Sequence, residues 1–245
     1  MKNRILCLSI LLSLMAAFTL SAQNAEVISD SLAFVNAPWR ITDLGKGARA
    51  GYAQINMFNS VQSVSFVSYP ARNFRTEILH RPAETAGKPS EIGKETGACF
   101  MMNAGYFNVK ELTPCVYFRQ GKQILGHTHP TELYRVDGVF GFTDRKGREM
   151  AVSRRMKSVM ASGPLLILDG DIVVPVLMGD TADGASIYET AYICHLLGMT
   201  DAINLDGGGS SALWTSTTGV ISHPRDNRRF DHEGERTVPN LIAVY

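Results

Sequence analysis

Apolar residues recur at alternate positions through short runs along most of this chain, and polar breaks rich in glycine or proline separate the runs. A period of two is the signature of a half-buried strand, so residues 39–42, 53–58, 63–69 and 98–103 are expected as strands. Three hairpins are expected further on. Residues 116–119 and 123–125 turn at Gly121, residues 136–142 and 149–152 at positions 144–147, and residues 165–168 and 172–174 at Asp169-Gly170. The period changes to a helical one over 186–197. Ser186 there suits an N-cap with Glu189 three residues on, and Gly198 suits the stop. A short helix is expected to open at Pro89 inside the polar stretch 80–97. Strands without regular βαβ alternation predict an α+β fold: a strand-rich mixed sheet core with a few flanking helices, in a single domain over 39–245.

The N-terminus departs from this pattern. Lys2 and Arg4 precede an apolar run over 5–20, and small residues Ser21-Ala22 precede a cut expected at Gln23. That is the layout of a secretory signal peptide over 1–22, too short for a comfortable membrane span, with residues 23–38 as a leader. An exported protein, periplasmic or extracellular, is the expectation. Its composition, 45% hydrophobic and 19% charged, is that of a globular chain. Removing residues 1–22 leaves 22 basic and 23 acidic side chains, which gives no electrostatic footprint for nucleic acid or for an anionic membrane. Cys99, Cys115 and Cys194 then remain. An odd count without C-x-x-C does not make a disulfide framework, although a Cys99–Cys115 bridge stays open.

One polar segment stands out between apolar flanks: Asp206-Gly207-Gly208-Gly209-Ser210-Ser211. Three glycines in a row carry a large entropic cost, accepted where the chain bends sharply or approaches something closely. Successive glycines can also turn their N–H groups inward as an anion-binding nest. A carboxylate before them and two hydroxyls after them suggest a site for a polar, anionic ligand. A Gly-rich surface turn with Asp206 as turn residue is the plainer alternative. Dinucleotide and P-loop readings fail, because G-x-G-x-x-G is absent and no Lys follows the glycines.

The segment 201–211 resembles the hallmark of the phosphodiester glycosidase family, which includes the enzyme that uncovers mannose 6-phosphate by removing N-acetylglucosamine. Four further segments resemble that family's motifs in the same order. They are Met102-Asn103-Ala104-Gly105-Tyr106-Phe107, the Gly163-Pro164 segment running to Asp169-Gly170, the Glu189 helix, and Glu235-Arg236-Thr237-Val238-Pro239-Asn240. The resemblance covers roughly residues 98–245. It implies an exported hydrolase that cleaves a sugar-1-phosphate diester in a glycan or surface polymer, with a carbohydrate or glycosyl-phosphate substrate and no cofactor. The chain also departs from the family. Only residues 176–184 join Pro175 to Ala185, where members carry two further strands with an arginine on each. That gap motivates the alternative of a non-catalytic carbohydrate- or phosphate-binding module on the same fold.

Cleavage at an anomeric carbon needs a carboxylate on the sugar side, and the phosphate needs cationic or N–H donors. Asp206 is the first candidate for the carboxylate. Glu189 is the second, though a Glu at that helix position is equally explained by capping. Arg236 suits the phosphate through bidentate contacts, with pairing to Glu235 on a surface strand as the alternative. Asn103, Gly105, Asn204, Gly207, Gly208 and Ser210 complete the expected substrate-binding set, and a turn-initiating role is as natural for Asn103. His223 and Asp226 fall in the loop before the last strand and are expected at the rim. His127 and His129 have strand-face spacing, but no third metal ligand stands nearby, so an exposed loop is the expectation and the metal question stays open.

Overall fold

The computed structural model describes residues 28–134, 136–143, 156–174 and 185–245. The expected signal peptide, residues 23–27 of the leader, the segment 144–152 of the middle hairpin and the joining segment 175–184 lie outside the described residues. Internal contacts divide the chain into two units. The first consists, where described, of residues 28–38, which open with helix α1 (28–35), and residues 53–63. Phe34, Ala53, Ile55 and Met57 are its buried apolar side chains, and Phe58 N–H donates to the Asp30 carboxylate at 3.2 Å. Part of the expected leader is thus helical.

The second unit comprises residues 39–52 and 64–245. It opens with β1 (Arg40–Gly45), which pairs antiparallel with the first part of β2 (Ala48–Met57); β3 (Ser60–Ser68) follows. Its main sheet has five strands in the order β16 (Gly219–Val220), β15 (Leu213–Thr215), β5 (Phe100–Asn103), β17 (Asn240–Val244) and β4 (Thr76–His80), each pairing antiparallel. Strand alternation sends Met101, Leu241 and Ala243 to one face, where they pack with Ile92 of helix α2 (Pro89–Thr96) and with Trp214. Pro89 opens α2, and Gly97 closes it at φ 69°. Glu235, the alternative partner for Arg236, caps this helix, accepting from Ser90 N–H at 2.9 Å and Ser90 Oγ–H at 2.5 Å.

Ile78 and Ile242 face the other way, toward a four-stranded antiparallel sheet ordered β10 (Gly138–Phe142), β11 (Ser158–Ser162), β8 (Phe118–Gln120) and β9 (Gln123–Gly126). Phe118, Phe140 and Met160 fill that interior. Among the described residues β10 pairs with β11 in the register Gly138↔Ser162, while the expected hairpin partner 149–152 lies outside them. All five residues of β11 are buried. A strand covered on both faces loses the alternation that betrays it in sequence.

A third sheet, β13 (Asp171–Ile172), β12 (Leu165–Leu168) and β14 (Ala202–Ile203), packs with helix α3 (Ile187–Leu196) through Leu166, Ile167, Ala191 and Ala202. The hairpins at Gly121 and Asp169-Gly170 form where expected. Two short strands, β6 (Phe107–Asn108) and β7 (Thr113–Pro114), complete an α+β architecture. Cys99, Cys115 and Cys194 are free thiols, so the Cys99–Cys115 bridge does not form. Among the described residues no helix is long and apolar enough to cross a membrane.

Candidate active site

Asn103 ends β5 with its side chain 4% exposed, and its amide holds both ends of the glycine segment. Asn103 Nδ2 donates to Asp206 O at 2.6 Å, and Asn103 Oδ1 accepts from Ala212 N–H at 3.1 Å. Asp206 N–H in turn donates to Ala104 O at 3.0 Å. Residues 206–212 are therefore strapped to the end of the central strand at entry and exit. A buried amide with both ends satisfied contributes about 1 kcal/mol for each bond, and losing either one would leave a buried group unpaired. The geometry makes Asn103 a staple for the loop.

Within the loop, Gly207 is extended (φ −116°, ψ −156°) and Gly208 has φ +58°, the left-handed region that glycine enters without cost. Residues Gly208–Ser210 then make one 3-10 turn, in which Ser210 N–H and Ser211 N–H bond to Gly207 O and Gly208 O. Among the described hydrogen bonds, the N–H groups of Gly207, Gly208 and Gly209 are not spent on the protein's own carbonyls. Gly209 is constrained by space. A Cβ there would collide with Arg236 Nη2 and stand 2.6 Å from Asp226 Oδ1.

Arg236 thus crosses directly against the glycine turn. It lies in an irregular segment between Gly234 and Val238, not on the strand expected for it. Its Nε and Nη2 donate to Asp226 Oδ1 at 2.9 and 2.5 Å, while Nη1 points to Ser210 Oγ at 3.5 Å, a weak contact. Two of the guanidinium's five N–H donors are committed to Asp226, which fixes the plane of the fork and leaves others for a ligand. Asp226, expected only at the rim, orients the cation.

Asn204 is pinned from beneath. Its Nδ2 donates to Tyr106 Oη at 3.0 Å and Gly163 O at 3.3 Å, while Ser162 Oγ donates to Asn204 O at 2.6 Å. Tyr106 Oη–H donates to Gly163 O at 2.6 Å. Gly105 lets the chain pass Met160, since any Cβ there would overlap its sulfur. Cys115 marks how near Asp206 stands to the β5 turn. Burial first, and then the charges of Glu132, Asp206 and Glu111, push its thiol above the ordinary value.

Glu189 lies in the first turn of α3. Its carboxylate accepts Ser186 N–H at 2.6 Å, while Ser186 Oγ accepts Glu189 N–H at 3.2 Å, which is a full capping box. His127 and His129 lie beyond β9 in an exposed stretch, and His129 Nδ1 bonds with Thr131 Oγ1 at 2.8 Å. Among the described residues no cluster of three His, Cys, Asp or Glu could hold a metal ion. An open groove of about 520 Å³, lined by Lys94, Cys99, Trp214 and Ser216, lies at the start of β5. That is the end of the strand away from Asn103, and no carboxylate lines it. Gly209, Ser210, Asp226 and Arg236 instead meet at the glycine segment, directly after Asp206.

Residues 168–245 match the sequence model of the phosphodiester glycosidase family, NAGPA. The match takes in the glycine segment and Arg236, and the segments around Asn103 and Gly163 precede it. Several solved structures share the fold, among them these two. One is a hypothetical protein from Synechocystis, 15% identical over 84% of this chain and 63% of that one, with a TM-score of 0.58. The chain thus spans less than two thirds of the Synechocystis structure. The other is the catalytic domain of zebrafish N-acetylglucosamine-1-phosphodiester alpha-N-acetylglucosaminidase, auto-inhibited by its pro-peptide, 13% identical over 86% of this chain and 82% of that one, with a TM-score of 0.57. Likeness at such identities is likeness of fold. Among curated protein sequences none matches this chain.

Proposed function

We propose, for a chain whose residues 168–245 carry the phosphodiester glycosidase family's segment, that it is an exported hydrolase cleaving the bond between an anomeric carbon and phosphate in a sugar-1-phosphate diester. The observation that supports this most is the crossing of Arg236 over the Gly207–Gly209 turn immediately after Asp206. Phosphate oxygens would lie against the guanidinium and the glycine N–H groups, where several donors share the charge. Asp206 would serve the sugar side, as base toward water or as nucleophile toward the anomeric carbon. A phosphate monoester leaves more readily than an alcohol, so one carboxylate suffices, and this agrees with Glu189 being spent on its helix cap.

The test is release of free sugar from a panel of sugar-1-phosphodiesters by the mature protein. Asp206→Asn keeps the loop's shape and removes charge and basicity. Turnover should then fall by about two to four orders of magnitude with little change in melting temperature. Near wild-type turnover in Asp206→Asn would reduce the carboxylate to a turn residue. Sugar phosphates that bind by calorimetry but are never hydrolysed would favour the non-catalytic binding module.

A further inference from the structure

In the loop that leaves β16 and returns to Arg236, three rings gather around His223, two from the loop itself and one, Tyr52, from β2. His223 stacks on Phe230 with centroids 4.0 Å apart and planes 6° from parallel. His232 lies 4.4 Å from His223, and Tyr52 lies 5.3 Å from it. Phe230 is nevertheless 59% exposed. Single exposed apolar residues are ordinary on protein surfaces. This one differs because one face is backed by an imidazole while much of the ring stays in water, and because its loop is cross-braced.

The bracing is extensive for an exposed segment. Arg225 bridges Gly234, Asn227 Nδ2 donates to the Asp231 carboxylate at 2.9 Å, and Arg229 N–H donates to Asn227 Oδ1 at 3.0 Å. Gly234 permits the closure, because a Cβ there would collide with Pro224 O and stand 2.5 Å from Asn227 Oδ1. His232 Nδ1 donates to Ser222 O at 2.7 Å, and Ser222 Oγ accepts Leu213 N–H at 2.8 Å, so the base of the loop is tied to β15 where it leaves the glycine segment. Desolvation, and then His232, lower the basicity of His223 against an opposing pull from Asp231, which disfavours a charge on the imidazole behind Phe230. A ring held rigid and exposed loses little conformational entropy when a ligand covers it.

The loop is also joined to the phosphate position. Asp226, four residues before Phe230, orients Arg236, and four residues of chain reach about 14 Å at most. We infer that Phe230, backed by His223, is the platform for the leaving-group side of the substrate, stacking a sugar ring that carries the phosphate held at Arg236. The inference rests on the reading that Arg236 holds phosphate. A sugar offers an apolar C–H face for the ring and hydroxyls for Arg228, Arg229, Asp231 and Glu233, the neighbours of Phe230 in the chain. That set balances two positive against two negative charges, which suits a neutral sugar better than a polyanion.

The experiment compares two diesters of one sugar-1-phosphate, one bearing a methyl hexoside at its 6-position and the other a simple ethyl group. Phe230→Ala should raise KM for the hexoside diester about tenfold, leave kcat nearly unchanged, and leave the ethyl diester untouched. Phe230→Trp should restore the preference and Phe230→Leu should not. Equal effects on both diesters, or none on either, would overturn the platform while leaving the hydrolase reading standing. Should no diester be hydrolysed, titration of methyl hexoside 6-phosphate against ethyl phosphate, followed on the His223 and His232 ring protons, still decides. Shifts for the hexoside alone, lost in Phe230→Ala, support the platform, and their absence in the intact protein sinks it.

Discussion

Two adjacent glycines in the loop do different jobs, and substitution should separate them. Gly208 has φ +58° with nothing within 4 Å of a built Cβ, so Gly208→Ala meets only backbone strain. It should cost about 1–2 kcal/mol of stability, read as a lower denaturation midpoint. At Gly209 a methyl would meet the ends of two flexible side chains, Arg236 and Asp226. Those can swing aside, so Gly209→Ala should fold almost as the parent does. It should nevertheless lose about 10- to 100-fold in kcat/KM, because a displaced guanidinium no longer meets the phosphate in the right geometry. A Gly209→Ala variant with full activity would show that the position of Arg236 is immaterial. The sequence marks all three glycines alike. What distinguishes them is a cation arriving from 27 positions downstream of Gly209.

At the scale of elements, helix α3 tests whether Glu189 has a second role. Its capping box was legible, because Ser186 and Glu189 interact across three residues and no distant partner is needed. Glu189→Gln keeps an oxygen for Ser186 N–H while removing the charge. Stability should change by less than about 1 kcal/mol, within the usual range for a cap, and sugar release should persist. If melting is unchanged but turnover collapses, Glu189 is the second carboxylate and the single-acid scheme is wrong. Strand β11 marks the opposite case. Its residues SVMAS are small or flexible and buried on both faces, so neither alternation nor β-branched enrichment announces it. Its pairing with β10 joins positions about twenty residues apart, which no local pattern records.

Across the second unit, the interior between the five-stranded and four-stranded sheets rests on few large side chains. Phe118 is fully buried there, with Phe140, Met160 and Ile78 around it and His80 edge-on at 5.7 Å. Phe118→Ala should cost about 3–5 kcal/mol, the range for emptying a phenylalanine site in a packed core. For a chain of this size that lowers the melting temperature by roughly 2–4 °C per kcal/mol. Activity per folded molecule should survive at low temperature, since the glycine loop hangs from β5 and β15. A shift under about 1 °C would show that the two sheets do not depend on this ring.

The sequence alone determined what neighbours in the chain decide. The capping box, the glycine stops, the Asp169-Gly170 hairpin and most strand periods each follow from interactions spanning four residues or fewer. The resemblances carried by residues 201–211 and 235–240 brought Asp206 and Arg236 forward as candidates. Tertiary structure alone decided how those residues are used. Glu235 left Arg236 to cap α2, and Asp226 took its place beside the guanidinium. Asn103 became the strap for the glycine loop, and His223 found Phe230 across a bend. Such pairings join positions that are close only after the chain has folded back on itself. No local period or composition records them, because a side chain's role there is set by which partner arrives and how much space it leaves.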